Sequence, residues 1–495
     1  MKKGMVYLAG AGPGDPGLIT LKARSALEAA DCVIYDHLAS PALVEALNCE
    51  KIYVGKQGGS HTLSQSEIND LIVRKASEGK TVVRLKGGDP FIFGRGGEEA
   101  EELAGAGIRF SIIPGVSSFY SAPAYAGIPV THRDHADAFE VVTGHRRDDA
   151  SEDEDINFPD FDPGRTFVFL MGMKNLARIA GKLCEERGFP LDTPAAVISR
   201  GTTPRQRVAA GTLATIADEA ARLEIGPPAI IIVGGVVSLR ERLRWFDALP
   251  LFGKRIVVTR TREQASALSG RLSGLGAEVL EFPTIRIVPK ADTSAIDAAI
   301  GAIESFDWLV FTSQNAVGIF FERLFALGRD ARCLHGARIA AIGPATSREL
   351  EKRSVRPDLV PAEYVAEAVV SAMETLGVNG ARVLLPCAAE ARDALPEGLL
   401  ALGAEVRRIP IYDTVPPEPP TEEVMEAVRE ADIVTFTSSS TAGNFFAIIG
   451  QSRALHASIG PITSAKIRGT GHQVDIEASE YTIDGLVEAI LRSLD

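Results

Sequence analysis

Short apolar runs alternate with stretches of helical spacing through the first half of the chain. Val6–Ala9, Cys32–Tyr35, Thr81–Leu85, Ser111–Ile113, Glu140–Val142, Thr166–Leu170, Ala196–Ser199 and Ala229–Val233 are bounded by turn residues and read as strands. Gly-rich turns follow several of them, and amphipathic stretches such as Leu18–Ala30 follow the turns, so the pattern predicts an α/β fold. Near residue 250 the pattern restarts. Leu239–Phe246 closes one unit, Pro250 and Gly253 punctuate, and Arg255–Thr259 opens a fresh apolar strand. Asp148–Asp155 (DDASEDED) is a like-charge run and reads as a solvated loop.

The second half repeats itself. Arg255–Val279 is echoed by Arg382–Val406, Phe306–Phe321 by Ala431–Phe446, and Ile342–Ser347 (IGPATS) by Ile459–Ser464 (IGPITS). The offsets are 127 residues (Gly276 to Gly403), 125 (Phe311 to Phe436) and 117 (Gly343 to Gly460). Three segments kept in order at a near-constant offset indicate duplication, and hence two similar α/β lobes with a cleft between them.

Composition narrows the class. The 495 residues exceed one hydrophobic core; they are 45% hydrophobic and 24% charged, as in ordinary globular proteins. No apolar run reaches the ~18 residues of a membrane span. The start, MKKGMVYLAGAGPGD, breaks into Gly, Pro and Asp too soon for a signal peptide and reads as a buried first strand. The five cysteines (Cys32, Cys49, Cys184, Cys333, Cys387) form no C-x-x-C pair, which argues against zinc or a disulfide framework and fits a reducing cytoplasm. A net charge of −13 argues against nucleic acid and anionic membrane as partners.

Chemistry concentrates in the turns. In Val6–Ala23, Gly10, Gly12 and Gly14 allow a sharp strand-to-helix turn and close approach to a ligand. The segment nearly spells a dinucleotide fingerprint, with Asp36 near the place of a ribose-binding acid, but Pro13 and Pro16 remove amides that a pyrophosphate needs. Arg84–Glu99 (RLKGGDPFIFGRGGEE) opens at a strand end: Gly87 and Gly88 offer bare backbone, Asp89 a ribose or ammonium acceptor, and Arg84, Lys86 and Arg95 positive charge. Pro114–Ser118 and Tyr125–Ala136 follow, the latter with His132 and Arg133 as candidate partners for substrate carboxylates. His145, in a TGH strand end, is on its own more a structural than a catalytic signal.

These segments, with VIYDHL, VGKQGG, FLMG, RGTTPRQR and PPAIIIVGGVV, stand in the order found in uroporphyrinogen-III C-methyltransferases, and the first half resembles that family from Val6 to Phe246. The resemblance implies a crevice for S-adenosylmethionine between two α/β subdomains, methylation of two pyrrole carbons, release of S-adenosylhomocysteine, and a homodimer. Carried over by motif, cofactor contacts fall on Pro13, Gly87, Gly88, Asp89, Ile92, Ser117, Ser118, Met171 and Gly201. Asp36 falls on the proton acceptor and Lys56 on the proton donor, while Arg84, Arg95, His132 and Arg133 are candidates for substrate. The chain departs from the family at Val116-Ser117-Ser118, where Ile-Thr-Ala is usual, and at His37 and Gln57, where Arg is usual.

The second half shows no metal, nucleophile or phosphate signature; hydroxyls and glycines at strand ends stand out. Taken singly, Ser and Thr there read first as helix N-caps, which they fill routinely, and second as donors to carboxylates. The duplicated FTS and IGPxT segments, Leu385–Val406 and Ile411–Pro416 resemble uroporphyrinogen-III synthases, which close hydroxymethylbilane with inversion of its last pyrrole and no cofactor. The resemblance places Ser313, Thr346, Ser438 and Thr463 along a substrate cleft and makes Tyr412 the group that assists loss of the hydroxyl.

The expected organisation is a methyltransferase at 1–247 (subdomains about 1–115 and 116–247), a linker at 248–254, and a synthase at 255–495. Its lobes would be about 255–287 plus 416–495, and about 288–415. Three rival readings remain open: a methylase of a later corrin precursor, a nicotinamide dehydrogenase fused to a bilobed binding module, and a second half that only senses tetrapyrroles.

Overall fold

The computed structural model describes residues 4–45, 47–55, 63–144, 157–259, 262–417 and 419–494, with backbone alone for 262–266. Lys56, Gln57, His145 and the acidic run 148–155 lie outside the described residues. Two compact units form: Met1–Arg255 with Gly270–Val279, and Ile256–Ser269 with Leu280–Asp495. Among the described residues no helix is long and apolar enough to cross a membrane.

The first unit holds two sheets. The strands β1 (Met5–Gly10), β2 (Cys32–Tyr35), β3 (Glu50–Tyr53), β4 (Thr81–Lys86) and β5 (Arg109–Ile113) lie all parallel in the order β3-β2-β4-β1-β5. Alternate residues serve two cores: Val6, Leu8, Ile34 and Val82 pack under helices Gln65–Ser77 and Gly96–Gly105, while Ala9, Val33, Val83 and Leu85 pack under helix Leu21–Glu28. Burial on both faces is why β1 and β2 are mostly apolar runs, whereas the edge strand β3 (EKIY) is charged where it is exposed. The second sheet comprises β6 (Ala138–Thr143), β7 (Arg165–Leu170), β8 (Pro194–Ser199), β9 (Arg207–Thr212) and β10 (Ala229–Val233), ordered β6-β7-β10-β8-β9. Only β6 and β7 run parallel in it; the other pairs are antiparallel.

The second unit uses the duplicated segments in an exchanged way. The remaining strands, which lie in the second unit apart from Arg255 and residues 278–279, are β11 (Arg255–Val258), β12 (Glu278–Glu281), β13 (Arg286–Pro289), β14 (Trp308–Phe311), β15 (Arg338–Ala341), β16 (Arg382–Ala388), β17 (Glu405–Val415), β18 (Ile433–Phe436), β19 (Leu455–Ser458) and β20 (Ile476–Glu477). One sheet has the order β12-β11-β18-β19-β20 and the other β13-β17-β16-β14-β15. In repeat terms, β11 and β12 correspond to β16 and β17, and β14 and β15 to β18 and β19. Each sheet therefore takes the first strand pair from one repeat and the second from the other. The chain passes between sheets twice, at 282–285 and 416–432.

Candidate functional site

A crevice of about 770 Å³ opens at the C-terminal ends of the first sheet's strands and is completed by the second sheet. That volume falls in the range of small-molecule sites. The glycine turn after β1 and the loop after β4 are tied by a backbone bridge, with Gly88 N donating to Gly12 O at 2.7 Å and Gly12 N to Gly88 O at 3.3 Å. Both glycines hold left-handed backbone, φ 82° at Gly12 and 66° at Gly88. Gly10 has no room for a side chain, because a Cβ would stand 2.4 Å from Gly88 O and 2.5 Å from Gly115 Cα. Gly88 is the reverse: the nearest atoms to a Cβ there are 4.0 Å off, at Ser117 and Ser118, so open space faces bare backbone.

All nine residues expected to contact the cofactor line this crevice: Pro13, Gly87, Gly88, Asp89, Ile92, Ser117, Ser118, Met171 and Gly201. Leu170, Ile198 and Ile230 supply apolar wall from the second sheet. Asp89 ties loops together: Oδ1 accepts the Phe91 amide at 2.8 Å and Oδ2 the Gly115 amide at 2.9 Å. Phe93, Arg95, Met171 and Arg200, all lining, hold positive φ of 49°, 57°, 57° and 47°, which non-glycine residues rarely adopt.

Asp36 also lines the crevice, at the end of β2. Its Oδ1 accepts the Leu38 amide at 3.1 Å and its Oδ2 the Arg84 Nη2 at 3.1 Å. Arg84 and Arg95 are lining residues; His132 and Arg133 are not. Arg84 is 3% exposed, with donors engaged by Asp36, Glu99 and the carbonyls of Ile34 and Leu85. Arg95 is exposed and pairs with Glu98 at 2.6 Å. Burial, reinforced by the Arg84 charge, pulls Lys86 below the usual lysine range, with Glu99 opposing at 2.7 Å. His132 folds onto its own loop, its Nδ1 accepting the Asp134 amide at 3.2 Å.

In the second unit the hydroxyls sit at strand ends and cap helices. Ser313 Oγ accepts the Ala316 amide and Ser438 Oγ the Thr441 amide, at the starts of helices Gln314–Ala326 and Ser439–Ile449. Ser313 Oγ also meets the Tyr412 hydroxyl at 2.9 Å, so β14 and β17 bring these two together. Burial raises the Tyr412 phenol above its ordinary value, and the bond from Ser313 offsets part of this. Thr346 and Thr463 are buried in the first turns of helices Pro344–Glu351 and Pro461–Gly469.

Glu99 and a pair of tyrosines, Tyr364 and Tyr481, are absent from the residues that the sequence motifs single out. Tyr364 and Tyr481 are exposed side chains standing over Gly343 and Gly460, where a Cβ would meet them at 3.2 and 2.8 Å. They share the 117-residue offset of those glycines, and an E-Y dipeptide in each repeat was the available signal.

Two α/β enzymes in series, one with a glycine-lined crevice and one with a duplicated, strand-exchanged fold, define the class. Residues 5–217 match the tetrapyrrole (corrin/porphyrin) methylases, and residues 266–488 match uroporphyrinogen-III synthase HemD. Over 453 residues the chain is 39% identical to porphyrin biosynthesis protein HemD of Ruminiclostridium josui, covering 90% of this chain and 89% of that one. It is 41% identical over 372 residues to the uroporphyrinogen-III C-methyltransferase of Bacillus subtilis (strain 168), covering 72% and 74%. The crystal structure of uroporphyrin-III C-methyl transferase from Thermus thermophilus complexed with S-adenyl homocysteine shares 38% identity, covers 47% of this chain and 93% of that chain, and gives a TM-score of 0.40. The chain belongs to the fused family of tetrapyrrole methylase and uroporphyrinogen-III synthase, and is a bifunctional enzyme of tetrapyrrole biosynthesis.

Proposed function

We propose that the first half binds S-adenosylmethionine in the crevice and moves two methyl groups onto pyrrole carbons of uroporphyrinogen III, giving precorrin-2. The second half closes hydroxymethylbilane to uroporphyrinogen III, inverting the last pyrrole. One observation carries the reading: nine motif residues and Asp36 converge on a single crevice of about 770 Å³.

The residues present fit such a cofactor. Space stands open over Gly88, Gly87 and Gly12 present bare backbone, and Leu170, Ile198 and Ile230 offer an apolar surface. Pro13, Gly87, Gly88, Ile92, Ser117, Ser118, Met171 and Gly201 would hold it, with Asp89 fixing the loops around it. Bound there, the sulfonium supplies an electrophilic methyl group to an electron-rich carbon.

The chain's own part is positioning and proton transfer. Asp36, held from both sides, takes protons from the ring system, which must shed one net proton for each methyl cation it gains, and Lys56 is the donor when the double bonds of the methylated ring rearrange. Arg95 is better placed for substrate carboxylates than Arg84, whose donors are engaged, or His132 and Arg133, which lie outside the lining. In the synthase half Tyr412, kept protonated by burial, donates to the departing hydroxyl, with Ser313 aligning the phenol. Thr346, Ser438 and Thr463 hydrogen-bond the linear substrate.

The enzyme works as a homodimer through its methyltransferase half, in a reducing cytoplasm, and its product feeds siroheme or cobalamin synthesis. Five free cysteines support the compartment, and the family resemblance supports the dimer. The test supplies pure full-length protein with hydroxymethylbilane and S-adenosylmethionine, and follows products by absorbance and mass. A twice-methylated tetrapyrrole is expected. Accumulation of unmethylated uroporphyrinogen III would refute the methyltransferase assignment while leaving the synthase intact.

A further inference from the structure

Four charged side chains meet at the crevice: Asp36 after β2 and Arg84 and Lys86 on β4, which line it, and Glu99 in the first turn of helix Gly96–Gly105, which does not. A glutamate at that helical position ordinarily faces water and favours the helix dipole. Glu99 is instead 1% exposed. One oxygen, Oε1, takes three donors: Lys86 Nζ at 2.7 Å, Arg84 Nε at 3.2 Å and Gln65 Nε2 at 3.2 Å. The other, Oε2, is buried with no hydrogen-bond partner among the described residues. Burying a carboxylate this way is costly.

The arrangement decides how Arg84 can hold Asp36. A guanidinium grips a free carboxylate best through two parallel hydrogen bonds. Here Nε is drawn to Glu99, Nη1 lies on the carbonyls of Leu85 at 3.0 Å and Ile34 at 3.4 Å, and Nη2 makes a single bond to Asp36. A bidentate grip would stabilise the Asp36 anion further and weaken it as a base.

We propose that Glu99 is a positioning residue for methyl transfer: it takes up the second donor of Arg84 and offsets the charge of Lys86, so that Asp36 receives a single bond from Arg84 beside the one from the Leu38 amide and keeps lone pairs open to a proton. The inference rests on the reading of Asp36 as proton acceptor. It concerns a side chain that touches neither cofactor nor substrate, so its mark is on kcat and not on binding.

The test uses the full chain with Glu99→Gln, which keeps shape and an acceptor but removes charge, and Glu99→Asp, which keeps charge. Methyl transfer to supplied uroporphyrinogen III, S-adenosylhomocysteine affinity by calorimetry, and hydroxymethylbilane cyclisation by the same chain are measured together. Expected is a fall in kcat of tenfold or more for Glu99→Gln, with KM for S-adenosylmethionine, product affinity and cyclisation each within twofold of wild type. Glu99→Asp recovers at least part of the lost kcat. Full kcat in Glu99→Gln overturns the proposal, as do equal losses in the two variants. A kcat loss matched by loss of S-adenosylhomocysteine affinity makes Glu99 a folding residue and overturns it as well. If wild type itself transfers no methyl group, the reading of the crevice fails first, and that outcome is distinct from the others.

Discussion

Asp36 is held at both oxygens, by the Leu38 amide and by Arg84, so replacing it with Asn changes charge more than shape. Asp36→Asn should lower methyl transfer by a hundredfold or more, with S-adenosylhomocysteine affinity within about twofold, as calorimetry beside single-turnover assays will show. Tyr412→Phe removes the partner of Ser313 from a buried position. It should cost about 1 kcal/mol in stability and slow cyclisation severalfold, readable by denaturant titration and by product formation from hydroxymethylbilane. His456 carries a pH effect. Burial holds it below its ordinary 6.5, against the pull of Gln473 O and Asp475, while the neighbouring His472 pushes the same way as burial. The unfolded chain therefore binds more protons than the native one as pH drops below about 6.5, so stability is lost on acidification. The loss from pH 7.5 to 5.5 should be smaller in His456→Gln when both are followed by urea denaturation. The place of Asp36 at the end of a strand was legible in the sequence because a motif carried it, and the structure puts it in the crevice lining. Glu99 was not legible, since an acidic residue early in a helix has a sufficient explanation in solvation and the helix dipole, and its inward turn onto Lys86 is a matter of tertiary packing.

At the scale of elements, the crossing of three glycine backbones shapes the crevice. Gly10→Ala would drive a methyl group into Gly88 O and Gly115 Cα, and neither is the end of a flexible side chain. A cost of about 2–3 kcal/mol follows. The melting temperature should drop accordingly, and S-adenosylhomocysteine affinity should fall at least tenfold. Buried strands were readable because burial on both faces leaves continuous apolar runs: Cys32–Tyr35 and Ala229–Val233 occur with the bounds the pattern suggests. The edge strands β3 and β9 escaped, because EKIY and RVAAGT carry charge or small residues where one side faces water. Leu18–Ala30 shortened to a helix at Leu21–Glu28, since Pro16 starts a separate turn and Thr20 caps the helix. The duplication was plain in the sequence, but its exchange between sheets was not: pairing is set by which strand edges meet in space, and a repeat offset carries no such information.

For the whole molecule, two units with separate cores need not unfold together. Calorimetry of the full chain should resolve two transitions. S-adenosylhomocysteine at about a hundred times its Kd adds about 2.7 kcal/mol to the unit that binds it. One transition should then move up by about 5–10 °C and the other stay in place. A shift of both together would show that the units unfold as one.

Four side chains around the cofactor crevice, Phe93, Arg95, Met171 and Arg200, are carried on left-handed backbone. Anyone retargeting this enzyme to other acceptors would begin at these positions, because they line the crevice. The choice there is narrower than at ordinary lining residues: Gly and Asn suit the conformation, unbranched chains tolerate it, and Val, Ile or Thr resist it. A saturation library at these four codons should return active clones depleted in β-branched residues, whatever new acceptor the selection rewards.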